Sequence, residues 1–152
     1  MKIKLSLLCA FLLALSSTTF AAAKPVSQIV AVGTGGTILT SPDGVNWTSQ
    51  KTDIKSIVAT VVYANNQYTA FAADNGTDAI LSSLDGITWQ STIIGRTFFP
   101  YNSLIWDGKQ YLALNSSWGI IYTSPDSIHW TERFSDYPNN YDSVAVSNNT
   151  QN

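Results

Sequence analysis

The sequence predicts an all-β protein made of repeated four-stranded antiparallel meanders. Three observations predict this fold class. A turn closed by a tryptophan recurs three times, short runs rich in Val, Ile and aromatic residues separate its copies, and no segment beyond the N-terminus sustains a helical period. Turn residues interrupt the apolar runs every few positions, which favours strands over helices.

The turn motif aligns without gaps in residues 40–47, 82–89 and 123–130. Its shared positions are Ser41, Asp43, Gly44 and Trp47, then Ser83, Asp85, Gly86 and Trp89, then Ser124, Asp126 and Trp130. In the third copy Ser127 stands where the other two copies have glycine. The tryptophans are 42 and 41 residues apart, which is the length of one four-stranded β-propeller blade.

The remaining strands of each unit align in the same register. Gln28, Gln67 and Gln110 each open a strand, and Asn65-Asn66 and Asp107-Gly108 supply hairpin turns before the second and third of these strands. We therefore expect repeats at approximately 26–52, 55–94 and 99–134, with a partial copy at 141–152 whose start matches 101–106. The units contribute three, four, four and one strands, or about three propeller-type blades.

Three blades are fewer than the four to eight with which propellers close, and open sheet edges promote aggregation. Two explanations remain open. The chain is the N-terminal part of a longer propeller, an interpretation that the hairpin-like tail at 147–152 favours, or it is completed by a second copy of itself. In the second case the lone last strand would complete the three-stranded first unit.

The motif resembles the Asp-box, the bacterial neuraminidase repeat of sialidase-like propellers, in a variant that is one residue shorter because Gly44 and Gly86 directly follow aspartate. The resemblance implies a propeller fold and a turn that lies away from the ligand face. Sialidases need three arginines, a nucleophilic tyrosine and a glutamate. This chain has only Arg96, Arg133 and Glu132 for the charged roles, so we expect no catalytic residues.

The motif itself predicts a structural role. Aspartate in a turn accepts hydrogen bonds from backbone N–H groups two or three residues further on, and glycine allows the left-handed backbone that a tight turn needs. The serine hydroxyl can bond across the turn. The tryptophan is expected to bury its apolar surface against the neighbouring unit.

Residues 1–23 are predicted to be a secretory signal peptide, and 24–152 the repeat domain. Lys2 and Lys4 precede an apolar run at 5–15, and small residues at 21–23 offer cleavage sites. The protein is therefore expected to be secreted or periplasmic, with no membrane span after cleavage. The net charge of −2 and the absence of a basic patch argue against nucleic-acid binding.

We expect a non-catalytic binding or scaffold module whose ligand is a glycan or a protein. The alternative is a fragment of a larger sialidase-like or other glycan-processing enzyme. Candidate ligand-binding residues lie in the loops between second and third strands and in the links between units; they are Trp118, Arg96, Tyr101, Tyr137, Tyr141, Asp74 and Asp78. We expect no cofactor, because one histidine cannot form the usual zinc site and the spacing of Asp74 and Asp78 matches no known calcium loop.

Overall fold

The computed structural model describes residues 28–74, 76–95 and 101–147. Within these ranges the protein consists of eleven strands and contains no helix, so none of the described segments is a helix that could cross a membrane. The all-β prediction is confirmed. The predicted signal peptide, Arg96 and the tail beyond residue 147 lie outside the described residues.

The strands form three antiparallel sheets, each a meander in which neighbours along the chain are neighbours in the sheet. Sheet one comprises β1 (Ile29–Val32), β2 (Ile38–Ser41) and β3 (Thr48–Gln50). Sheet two comprises β4 (Ile57–Ala64), β5 (Gln67–Asp74), β6 (Thr77–Ser83) and β7 (Gln90–Gly95). Sheet three comprises β8 (Tyr101–Trp106), β9 (Tyr111–Asn115), β10 (Ile120–Ser124) and β11 (Thr131–Ser135).

The hairpin turns have the backbone that the sequence predicts. Asn65 and Asn66 join β4 to β5 with φ angles of 51° and 58°, the left-handed conformation of a two-residue turn. In the corresponding turn between β8 and β9, Asp107 Oδ1 accepts the N–H groups of Lys109 and Gln110 at 2.7 and 2.8 Å. The turns fix the register, so that Tyr63 lies opposite Tyr68 and Trp106 lies opposite Tyr111.

Two apolar clusters hold the three sheets together. One joins sheets one and two and includes Ile38, Val58 and Leu81. The other joins sheets two and three and includes Phe71, Leu104 and Ala113. Successive residues of β5 alternate between the two clusters, since side chains along a strand point to opposite faces. Sheet two is therefore buried on both faces, with sheets one and three on either side.

The expected twelfth strand is not formed. Residues 141–147 carry no regular secondary structure, although they match the sequence of β8 in register. A strand requires a partner for its backbone hydrogen bonds; β8 has β9, whereas no strand of the described chain pairs with residues 141–147.

Candidate functional site

The three turn motifs form the same hydrogen-bond network between the third and fourth strand positions of their sheets. In the first copy Ser41 Oγ donates to Asp43 Oδ1 at 2.9 Å and accepts the Gly44 N–H at 2.8 Å. Asp43 Oδ1 in turn accepts the N–H groups of Val45 and Asn46, both at 2.8 Å. Asp85 and Asp126 accept the corresponding pairs of N–H groups in the second and third copies.

These hydrogen bonds favour the ionised form of each aspartate. The N–H of Asn46 and its side-chain amide hold the pKa of Asp43 well below its usual range. The His129 side chain has the same effect on the pKa of Asp126, and the N–H of Thr88 lowers the pKa of Asp85. A carboxylate so occupied with its own turn has little capacity left to act as an acid or base, which supports a structural role for all three.

The left-handed residue of each turn stands before its closing tryptophan. Gly44, Gly86 and Ser127 have φ angles of 77°, 76° and 65°. Their carbonyl oxygens accept the indole N–H of Trp47, Trp89 and Trp130 at 3.1, 2.9 and 2.9 Å. The indole rings are thus oriented by the turn itself, before any contact with another sheet.

The tryptophans differ in what they pack against. Trp89 packs on the cluster between sheets one and two, and Trp130 contacts Phe71 of sheet two with ring centroids 5.0 Å apart. Trp47 of sheet one remains 42% exposed. In sheets two and three the tryptophan therefore packs on the preceding sheet, as expected, while Trp47 has no such sheet among the described residues.

A surface pocket of about 300 Å³ lies beside the second turn motif, and its lining residues include Gln67, Ser83, Leu84 and Asp85. Ser83 and Asp85 in this pocket already hydrogen-bond to each other. No aromatic side chain is among the lining residues, so the pocket offers a ligand no ring to stack on.

The loop between β9 and β10 holds Trp118. It lies at the end of sheet three opposite to the third turn motif. The buried Asn115 side chain accepts the Trp118 N–H through its Oδ1 at 3.2 Å, while its Nδ2 has no hydrogen-bond partner within the described structure. Gly119 lies so close to the following segment that an added Cβ would be 2.3 Å from the Asn139 carbonyl oxygen. The loop and residues 136–139 are consequently held against each other.

Trp118 and Tyr137 form an exposed aromatic pair on this surface. Their ring centroids are 5.9 Å apart at an interplanar angle of 38°, and they are 49% and 69% exposed. The Asp136 N–H donates to the Gly119 carbonyl at 3.2 Å, which ties the Tyr137 segment to the Trp118 loop. Two of the predicted site residues are therefore brought together.

Asp136 organises the polar groups beside the aromatic pair. Its Oδ2 accepts the side-chain amide of Asn139 and the hydroxyl of Tyr141, both at 2.9 Å. This hydrogen bond raises the pKa of Tyr141, because ionisation of the phenol would remove the proton that the bond needs. Tyr141, a third predicted residue, thus joins the same cluster through its hydroxyl.

Sequence reasoning did not single out Asp136 as a site residue, nor Asn115 and Gly119 as its supports. The available signal was an aspartate directly after a strand with an asparagine three residues later, a pattern that favours a side-chain-stabilised turn. The contact between Gly119 and Asn139 has no such signal, because it depends on how the chain leaves sheet three.

The remaining predicted site residues do not join this cluster. Asp78 was expected in a loop, but it lies in β6 and is only 4% exposed, so it cannot present its carboxylate to an external ligand. The hairpin between β5 and β6 is shorter than expected, and Asp74 is the last residue of β5. Tyr101 opens β8, and Arg96 lies outside the described residues.

The described residues bring together no group of three or more metal-ligating side chains. His129 contacts Asp126 at 2.7 Å, and its side chain is 84% exposed. A comparison with protein families, with curated proteins and with solved structures finds no match to this chain.

Proposed function

We propose that this protein is an exported, non-catalytic carbohydrate-binding module built from propeller-type blades. The observation that carries the proposal is the exposed pair of Trp118 and Tyr137 beside the Asp136, Asn139 and Tyr141 cluster. Aromatic rings bury the apolar face of a sugar, and carboxylate and amide groups hydrogen-bond its hydroxyls.

Three features support the blade arrangement. Each sheet is a meander, consecutive sheets enclose an apolar cluster, and the closing tryptophan of one sheet packs towards the sheet before it. The aromatic pair lies in a loop between second and third strands and in the segment that follows the fourth. These are the positions at which repeat proteins gather their binding loops.

Binding is favoured over hydrolysis because glycoside hydrolysis requires two apposed carboxyl groups. In this cluster the hydrogen-bonded carboxylate is that of Asp136, whose Oδ2 accepts hydrogen bonds from Asn139 and Tyr141. Such a carboxylate can accept or orient sugar hydroxyls, whereas a general acid would need a free proton to donate.

The test is a glycan array probed with the native protein and with Trp118→Ala and Tyr137→Ala. Loss of a hydrophobic stacking partner should reduce binding about tenfold or more for Trp118→Ala, and less for Tyr137→Ala. Phe134→Ala is the matched control, because Phe134 is an aromatic residue of β11 with a similar exposure of 47%. No glycan signal, or equal signals from native protein and Trp118→Ala, would contradict the proposal.

Export is tested separately. The run of apolar residues at 5–15 followed by small residues at 21–23 supports a cleaved signal peptide. Expression of the full chain in a bacterial host should yield mature protein outside the cytoplasm, with its N-terminus at Ala22 or Lys24 by mass spectrometry. An uncleaved cytoplasmic product would contradict this part of the proposal.

A further inference from the structure

We infer that two copies of this chain exchange strands, with residues 141–146 of one copy pairing with β1 of the other. This inference concerns self-assembly and goes beyond ligand binding. It rests on three observations: an incomplete sheet, an unpaired segment with the matching sequence, and an exposed apolar face beside both.

Among the described residues, sheet one has no counterpart of β4 or β8, the first strands of the other two sheets. In sheets two and three the second strand, β5 or β9, lies between two neighbours. β1 corresponds to β5 and β9 in the repeat, yet it pairs only with β2 among the described strands. The other edge of β1 therefore presents unpaired backbone N–H and C=O groups, which can accept another strand.

Residues 141–146, the donor segment, resemble β8, the first strand of sheet three. Tyr141 and Ser143 match Tyr101 and Ser103, and both segments end in three apolar residues, yet the structure assigns residues 141–146 no strand. In sheet three Leu104, Ile105 and Trp106 lie opposite Ala113, Leu112 and Tyr111. The same register places Val144 opposite Ala31, Ala145 opposite Val30 and Val146 opposite Ile29.

This register also completes an apolar face. Side chains two apart on a strand share a face, so Val144 and Val146 would join Ile29 and Trp47. Ile29 and Val146 are now 49% and 42% exposed, and Trp47 is 42% exposed. The equivalent positions in sheet three, among them Leu104, Tyr111 and Trp130, pack on sheet two.

The donor segment of the same molecule lies far from β1. Sheet two lies between sheets one and three, and neither apolar cluster contains residues of both sheet one and sheet three. The donor segment directly follows sheet three and is tied to it through Asp136 and Gly119. A second copy can bring a donor segment to β1, since each copy offers one donor segment and one free β1 edge among its described residues. Two reciprocal exchanges then close the assembly.

Light scattering on the purified mature chain tests the inference. A mass of two chains is expected for the native protein. The double substitution Val144→Pro and Ala145→Pro should raise the dimer dissociation constant about tenfold or more, because one of two adjacent N–H groups must face β1 and proline has none. Asn140→Pro is the control outside the donor segment and should remain dimeric. Circular dichroism checks that every variant keeps its strands.

A disulfide tests the register. In the mature chain, which lacks Cys9, Val30→Cys combined with Ala145→Cys should give a covalent dimer under mild oxidation, whereas each single variant should give little. Pairing Thr92→Cys with Ala145→Cys is the matched control and should not cross-link. A monomeric native protein, a larger open assembly, or equal cross-linking of the control pair would overturn the inference. Glycan binding by the monomeric proline variant would leave the proposed function intact.

Discussion

The first turn motif differs from the second and third in its surroundings, although the three share one hydrogen-bond pattern. Ser41 and Asp43 form the same bonds as Ser83 and Asp85. Yet Trp47 is exposed, while Trp89 and Trp130 pack on the sheet that precedes their own. The turn is therefore a local structure that forms with or without a neighbouring sheet. Its tryptophan is the residue that packs on a neighbouring sheet where one is present.

The largest difference is expected from removing the tryptophans. Trp130→Ala should cost about 3 kcal/mol of unfolding free energy, because it leaves a cavity beside Phe71. Trp47→Ala should cost less than about 1 kcal/mol in the monomer, since its ring has no preceding sheet to lose. Urea unfolding followed by circular dichroism measures both. Equal losses would show that the indole stabilises mainly its own turn.

The glycines of the turns should show a smaller contrast. Gly86 and Gly44 both have a positive φ, so alanine costs about 1 kcal/mol at either position. At Gly86 an added Cβ would also be 3.0 Å from Val30 Cγ2 of sheet one, whereas at Gly44 the nearest atom, Ile29 Cδ1, is 3.5 Å away. Gly86→Ala should therefore have the lower melting temperature, and the reverse order would contradict the close approach of this turn to sheet one.

The aspartates should respond in the same direction in all three copies. Hydrogen bonds lower the folded-state pKa of Asp43, Asp85 and Asp126 from an ordinary value of 3.8. A depressed pKa contributes stability that is present above the unfolded-state value and is lost as the pH falls through the folded-state value. Unfolding free energy should thus decline below about pH 4.

The slope of this decline is the measurement. Replacing Asp43 or Asp126 with asparagine should flatten it more than replacing Asp85, since the side chains of Asn46 and His129 add a hydrogen bond to those two carboxylates. The triple variant should be flattest. An equal or larger effect at Asp85 would contradict this order.

The smallest effect is expected at the third turn. Ser127 holds a φ of 65°, a left-handed conformation that disfavours a residue with a Cβ. Ser127→Gly should therefore raise the unfolding free energy by about 0.5 kcal/mol, since relief of strain exceeds the entropy that glycine loses. A loss of stability in thermal unfolding would show that the buried Ser127 side chain makes contacts that outweigh the strain.

Much of the fold could be predicted from local pattern. The spacing of the tryptophans and the Asn65-Asn66 and Asp107-Gly108 turns predicted the strands and their order within the sheets. These signals are short-range, because a turn and its flanking strands are set by a few neighbouring residues. The strand expected at 141–146 does not form in the single described chain, because strand formation also needs a partner.

The candidate site was less predictable. Trp118, Tyr137 and Tyr141 were expected on one surface, and the contact of Trp118 with Tyr137 brings the first two together. Asp136, which links them to Tyr141, was not expected as a site residue. Asp78 was expected to be accessible and is buried. The accessibility of a side chain near a hairpin depends on where the strand begins. The strand β6 begins at Thr77, so that Asp78 lies within the strand instead of in the expected loop.

The sequence by itself determined the all-β class, the three copies of the turn and the hydrogen bonds within each, because all of these depend on residues within a few positions of one another. Only the tertiary structure decided which tryptophans pack on another sheet, how Asp136 joins the loop of Trp118, and that one edge of β1 has no partner in the described chain. These depend on contacts between sheets, where identical local motifs meet different neighbours.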